Sequence, residues 1–316
     1  MSSWKLSSVP PHDWFLCLDV DSYFDYEHDP LHLAEEGFTR PIPLQQRDIL
    51  VTLFFNGDTE KPEFYLDCTE ELSKDEIAEA NRQLSRILGT GLDLRPLYDQ
   101  AAHDPVLMPL LSELYGLKRM ARATLFEDIM NRIIQMRLSH KPTAKKMAYR
   151  VREAYGTHLY HKGVLIPAWP RPLQIAAADP ARIRKMGPTL KKGEYLTGLA
   201  QDIVAGTLDI HHLDLYADPD HFYEEISRVR GIGPTSAQDL MLFRPRTDAS
   251  FPGVKQKGEE KGLRKWILMS YGMDPDNTDE ESFQKIISLW KGFEAASIEF
   301  LFVNWVMEQK RRKEKR

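Results

Sequence analysis

The chain has 316 residues, 42% of them hydrophobic, and carries a formal net charge of −5, enough length to bury a sizeable core and to suggest about two domains. Its longest apolar runs, ILVTLFF (49–55) and IEFLFVNWV (298–306), fall far short of a membrane span, and its first residues lack the basic-then-apolar pattern of an export signal. Cys17 and Cys68 make neither a disulfide framework nor a metal-ligand spacing, so a cytoplasmic protein with two reduced core thiols and no membrane association is expected.

In chain order, WFLCLDV (14–20), ILVTLFF (49–55) and PEFYLDC (62–68) read as strands, the last two joined by the turn NGDTEK. From Ser73 the pattern becomes helical. SKDEIAEANRQLSRILG places Ser73 as N-cap, Glu76 at the capping-box position and Gly89 as the stop. Further helices are expected at 105–115, 124–136, 142–155, 171–177, 180–186, 190–205, 219–229, 234–243, 259–271 and 279–309. The fold class predicted is α+β: a small antiparallel sheet with its helix over 1–88, then a mostly helical domain over 89–316, with a helix pair at 222–243.

Charge divides the same way. Residues 1–116 hold 8 Lys and Arg against 22 Asp and Glu, which leaves 34 basic and 25 acidic residues for 117–316. The second part can therefore face phosphates. Its basic residues cluster in 137–152, in 182–192 and around the helix pair, with Arg228, Arg230, Arg244 and Arg246. The adjacent His211 and His212 have no third ligand at metal-binding spacing and read as a polar turn, so no metal is expected.

The stretch ISRVRGIGPTSAQDLML (226–242) sets Gly231 and Gly233 around Ile232 between two short helices. The glycines permit close approach of bare backbone, and Ile232 can tuck beneath the turn. Amides at the start of the second helix would then point outward and hold phosphate without regard to base sequence. Such a turn suits a protein that slides along DNA.

The order of features resembles the helix-hairpin-helix DNA glycosylases of the AlkA type over nearly the whole chain. PPHDW (10–14), the stretch from LGTGLDLRPLYDQ to FEDIMNRII (88–134), GIGPTSA (231–237), TDASFP (247–252), EEKGLRKWI (259–267) and WKGFEAASIEFLF (290–302) run in the family's order. The resemblance implies a base-flipping enzyme, acting as a monomer on duplex DNA that carries a modified base, in a nucleoid-associated setting. It implies no organic cofactor, with room for a monovalent cation at the hairpin.

Three departures from the family bear on chemistry. The family's catalytic carboxylate should stabilise positive charge on the sugar and help water attack. Aligned on KGLR (261–264) that position is Glu260; aligned on FP (251–252) it is Val254, with Asp248 the second-choice carboxylate upstream. The lysine by which strand-cleaving relatives form a Schiff base is replaced by Thr235, and the iron-sulfur cysteines of another branch are missing, which implies a hydrolase that leaves an abasic site. The family's stacking cage keeps Trp290 but has Thr235 and Asp239 where tryptophan and another aromatic are usual. The pocket should then be wider and more polar, suited to a bulky polar base such as a glucosylated or hypermodified pyrimidine of phage DNA. Met136 and Arg137 match the loop whose side chain fills the gap left by the flipped nucleotide. Repair of alkylated purines, a non-excising binder of modified DNA, and a base-modifying transferase on the same fold remain as alternatives.

Overall fold

The computed structural model describes residues 1–21, 37–138 and 140–314. Strands β1 (Ser2–Ser7), β2 (Phe38–Pro43), β3 (Asp48–Phe55) and β4 (Glu63–Cys68) form an antiparallel sheet in the order β1-β4-β3-β2. In β4 the side chains of Phe64, Leu66 and Cys68 alternate inward, and Leu53 stands opposite Leu66. The two expected strands are the central pair. Prolines 41 and 43 sit in β2, which is tolerated because β2 is an edge and need not donate on its outer side.

The third expected strand is a helix, α1 (Trp14–Asp21). Trp14, Cys17 and Leu18 are buried at i, i+3 and i+4, and Asp13 accepts the Leu16 amide at 3.0 Å as a cap. An apolar run of seven residues carries too little period to separate the two structures. Helix α2 (Lys74–Leu88) forms as read, with both halves of the Ser73–Glu76 capping box present and Gly89 left-handed at φ 65°. Cys17 and Cys68 are buried, and neither is in a disulfide.

The remainder is largely helical, in keeping with the expected α+β class. It runs through α3 (Arg95–Gln100), α4 (Leu107–Glu113), α5 (Leu125–Gln135) and α6 (Lys141–Tyr155), then a hairpin of β5 (His158–His161) and β6 (Val164–Pro167). After these come α7 (Pro172–Ala176), α8 (Pro180–Arg184), α9 (Leu190–Val204), α10 (Ile210–Asp214), α11 (Pro219–Arg228) and α12 (Pro234–Met241). A second hairpin of β7 (Val254–Gln256) and β8 (Glu259–Lys261) precedes α13 (Gly262–Ser270), α14 (Glu280–Ser288) and α15 (Glu294–Glu314). The helix expected from 259 thus begins at Gly262. The helix expected over 279–309 is two, separated where Gly292 takes φ 85°. Helix α5 lies at the centre, packed against α6, α9, α10 and α12, with Ile129, Met130, Ile133 and Ile134 buried. Among the described residues no helix is long and apolar enough to cross a membrane.

Candidate active site

Helices α11 and α12 meet at Gly231–Gly233. Gly231 has φ 96°, and a Cβ there would lie 2.6 Å from the Tyr195 ring, so the position demands glycine. Ile232 is buried beneath the turn. Gly233 is the N-cap of α12 at φ −93°, and a Cβ there would meet nothing within 4 Å. The two glycines therefore have different reasons to exist. Gly231 closes the turn, whereas the space over Gly233 is open at the first turn of a helix, where unpaired amides favour an anion.

A variant pair separates these roles. Gly231→Ala should cost about 1–3 kcal/mol of stability through backbone strain alone, before its clash with Tyr195. Gly233→Ala should melt close to wild type and weaken binding to plain and modified duplex alike, because it obstructs phosphate contacts and not base readout. Thermal melting together with binding isotherms at matched salt reads both. Undiminished affinity in Gly233→Ala would count against the hairpin as a phosphate site.

Not every arginine near the hairpin faces outward. Arg228 and Arg230 are exposed. Arg244 is buried, donates to the Tyr216 carbonyl and stacks over the Phe222 ring at 4.9 Å, so it braces the hairpin from beneath. Arg246 is tied to Asp248 by two hydrogen bonds of 2.8 and 3.0 Å. Lys145, Lys146 and Arg150 on α6, and Arg182, Arg184 and Lys185 on and after α8, are exposed.

Beside α12 opens a cavity of about 510 Å³, within the range of small-molecule sites. Thr235 and Asp239, one turn apart on α12, both line it. Facing them from α5 is Arg132, whose Nη2 lies 2.6 Å from Asp239 Oδ2 while its Nε donates to Ser236 at 3.1 Å. The Asp239 side chain is 32% accessible, and it opens onto this cavity. Enclosure by protein raises its proton affinity, with Arg132 and then Arg119 pulling the other way. Arg119 and Arg122 complete a basic wall; Arg119 lies over the Phe243 ring at 4.4 Å and pairs with Glu299. Trp266, Phe243 and Phe302 supply aromatic surface, with Trp266 and Phe302 edge-on at 5.2 Å.

Trp290 is not part of this cavity. It is fully buried, and its indole N–H is shared between Asp104 and the Tyr271 hydroxyl at 3.1 Å each. A tryptophan whose polar edge is satisfied in the core serves packing; the tryptophan that lines the cavity is Trp266 of α13. Sequence reading also missed Arg132. Its signal was present, since Asp128 and Arg132 fall four apart on α5 and so share a face, but its partner Asp239 lies 107 positions on.

The two candidate catalytic carboxylates stand outside the cavity lining. Glu260 is on β8, not at a helix start. Its carboxylate is 3% exposed, with Oε1 accepting the Val254 amide at 2.7 Å and Oε2 lying 4.0 Å from Arg264 Nε. Its chain neighbours Lys261 and Gly262 do line the cavity. Asp248, in the segment joining α12 to β7, is held by Arg246. Of the gap-filling candidates, Met136 packs half-buried against the core, while Arg137 is exposed and left-handed at φ 58°, a strained conformation for a residue with a side chain.

No protein-family model matches the chain. It is 26% identical over 212 residues, 66% of its length and 67% of the relative's, to a protein named DNA-3-methyladenine glycosylase from Bacillus subtilis (strain 168). Its fold resembles that of a 3-methyladenine DNA-glycosylase from Archaeoglobus fulgidus, with TM-score 0.73 and 20% identity over 95% of this chain and 97% of that one. It likewise resembles the 8-oxoguanine glycosylase/lyase of Clostridium acetobutylicum, solved with double-stranded DNA containing cytosine opposite 8-oxoguanine, with TM-score 0.68 and 15% identity over 98% and 99% of the chains.

Proposed function

We propose that the chain is a helix-hairpin-helix DNA glycosylase, a reading supported by its similarity to the Bacillus subtilis relative and by its fold, and that it binds duplex DNA at the α11–α12 hairpin, turns one modified base into the cavity beside α12, and hydrolyses its N-glycosidic bond. The observation that carries the reading is the adjacency of the two parts: Thr235 belongs both to the first turn of α12 and to the cavity wall. A base must leave the stack to reach such a wall. Arg137, exposed at the end of α5, fills the gap it leaves.

Glu260 supplies the negative charge. It is oriented by the Val254 amide and stands one residue before the cavity wall, where a carboxylate can stabilise positive charge on the sugar as the base departs. Thr235 offers no amine at the position where relatives of the strand-cleaving kind carry lysine, so the product is an abasic site that breaks only with heat or alkali. The preferred base is bulky and polar. Its support is the Arg132–Asp239 pair together with a volume larger than one unsubstituted ring needs. Excision of alkylated purines is the second reading, favoured by the aromatic surface of Trp266 and Phe302 and by the names of the relatives.

One experiment separates the two. Single-turnover excision is measured on duplexes bearing 3-methyladenine, 5-hydroxymethylcytosine or its glucosylated form, with borohydride added to trap any Schiff base. The glucosylated base should be released fastest, without a trapped adduct. Thr235→Trp with Asp239→Tyr should shrink the cavity and move the preference toward the alkylpurine; an unchanged ratio overturns the bulky-base reading. A trapped enzyme–DNA adduct overturns simple hydrolysis.

A further inference from the structure

The β7–β8 hairpin is the one element of the site region that the resemblance does not account for. Aligned on KGLR (261–264), Val254–Lys257 reads as residues inserted relative to the family pattern; the hairpin begins there, ends at Lys261, and turns over Lys257 at φ 56° and Gly258 at φ 84°. Residues 255–259 are all exposed. With three cross-strand pairs, Val254–Lys261, Lys255–Glu260 and Gln256–Glu259, it extends about 10 Å from its root at the usual strand rise.

That root is unusually well fixed. The fully buried Gln238 of α12 holds the segments flanking the hairpin on both sides: its Nε2 donates to the Pro252 carbonyl at 2.8 Å and its Oε1 accepts the Leu263 amide at 2.9 Å. Glu260 Oε1 takes the Val254 amide across the ladder, and the Glu260 amide donates to Asp276 at 2.6 Å. Gly262 passes so close to α12 that a Cβ there would stand 2.1 Å from Gln238 Oε1 and 3.4 Å from the Thr235 methyl. The hairpin is therefore rooted against the first turn of the helix whose N-terminus is the phosphate site, and it borders the cavity mouth through Lys261 and Gly262.

Its exposed end is basic. Lys255 shares a face with Glu260, Lys257 is at the tip, and Lys261 on the opposite face pairs with Glu259. Among the described residues neither Lys255 nor Lys257 has a carboxylate partner within ion-pair distance. The fixed root places these two ammonium groups beside the helix N-terminus before any ligand arrives, and a point charge at the end of a flexible stem suits phosphates without reading sequence.

We propose that the β7–β8 hairpin is a second backbone contact, in which Lys255 and Lys257 grip the phosphates of the same DNA strand that the α12 N-terminus holds, beside the nucleotide turned into the cavity. This contact rests on the reading of the protein as a DNA binder. It is independent of the base in the pocket, so it acts on plain and modified duplex equally.

The test is the salt dependence of binding to an unmodified duplex. Each phosphate contact contributes about 0.9 to the slope of log K against log salt concentration, so Lys255→Ala with Lys257→Ala should lower that slope by about 2 and weaken binding to both duplex types by the same factor. Lys257→Glu alone should weaken binding more than Lys257→Ala. If wild type binds duplex steeply and the double variant keeps the slope, the hairpin contact is overturned while the DNA-binding reading stands. If wild type shows no salt-dependent duplex binding, both fall.

Discussion

Replacing Glu260 by glutamine is expected to lower single-turnover excision by at least ~100-fold, the scale of a lost electrostatic or general-base contribution, while duplex affinity stays near wild type. The choice of glutamine matters because Glu260 also has a structural bond: its Oε1 accepts the Val254 amide at 2.7 Å. A glutamine oxygen can keep that bond and the side-chain volume, so the root of the β7–β8 hairpin survives and only the charge is removed. Asp248→Asn is the control. Its carboxylate is engaged with Arg246 and lines no part of the cavity, and its loss should leave most activity in place. Full excision by Glu260→Gln would remove Glu260 from the chemistry and leave Asp239, the carboxylate that does open onto the cavity, as the group to examine.

The parts of this molecule legible in sequence are those fixed by local rules. The Ser73–Glu76 box and Gly89 delimit α2 because caps act within one turn. Thr235 and Asp239 fall on one wall because helical spacing leaves no alternative. Ile232 is buried because a helix–turn–helix with bare glycines needs an anchor. What escaped reading depends on chain segments far apart. Trp290 and Trp266 are both plausible aromatic wall residues by type, and only tertiary packing gives Trp290 to Asp104 and Trp266 to the cavity. The α1 segment has an apolar run that suits strand or helix, and the Asp13 cap decides for helix. Glu260 illustrates a third case. A three-residue strand is too short to show a period, yet its pairing with β7 brings the Glu260 carboxylate to the Val254 amide and buries it.

The second large effect concerns the floor of the cavity. Asp128 lines it from α5 with a side chain that is 0% exposed, and it bridges Arg86 Nη1 at 2.8 Å and Arg122 Nη1 at 3.3 Å. Arg86 comes from α2 and reaches on to Asp214 of α10 at 2.8 Å, so one buried network joins α2, the helix that follows the sheet, to α5 and α10 behind the cavity. Such a network contributes less net stability than its short distances suggest, because desolvation offsets the attraction, yet removing one member leaves the others charged and unpaired. Asp128→Ala should therefore destabilise the protein by about 3–5 kcal/mol, the cost typical of breaking a buried pair, as measured by urea unfolding. Asp128→Asn, which keeps an oxygen toward Arg86, should lose less. A loss under about 1 kcal/mol in the alanine variant, the scale of an exposed pair, would show that water already reaches this network. Between those limits the functional readout is separate: Arg122 stands in the cavity wall because Asp128 holds it there, so below its melting temperature Asp128→Asn should bind plain duplex normally but excise more slowly.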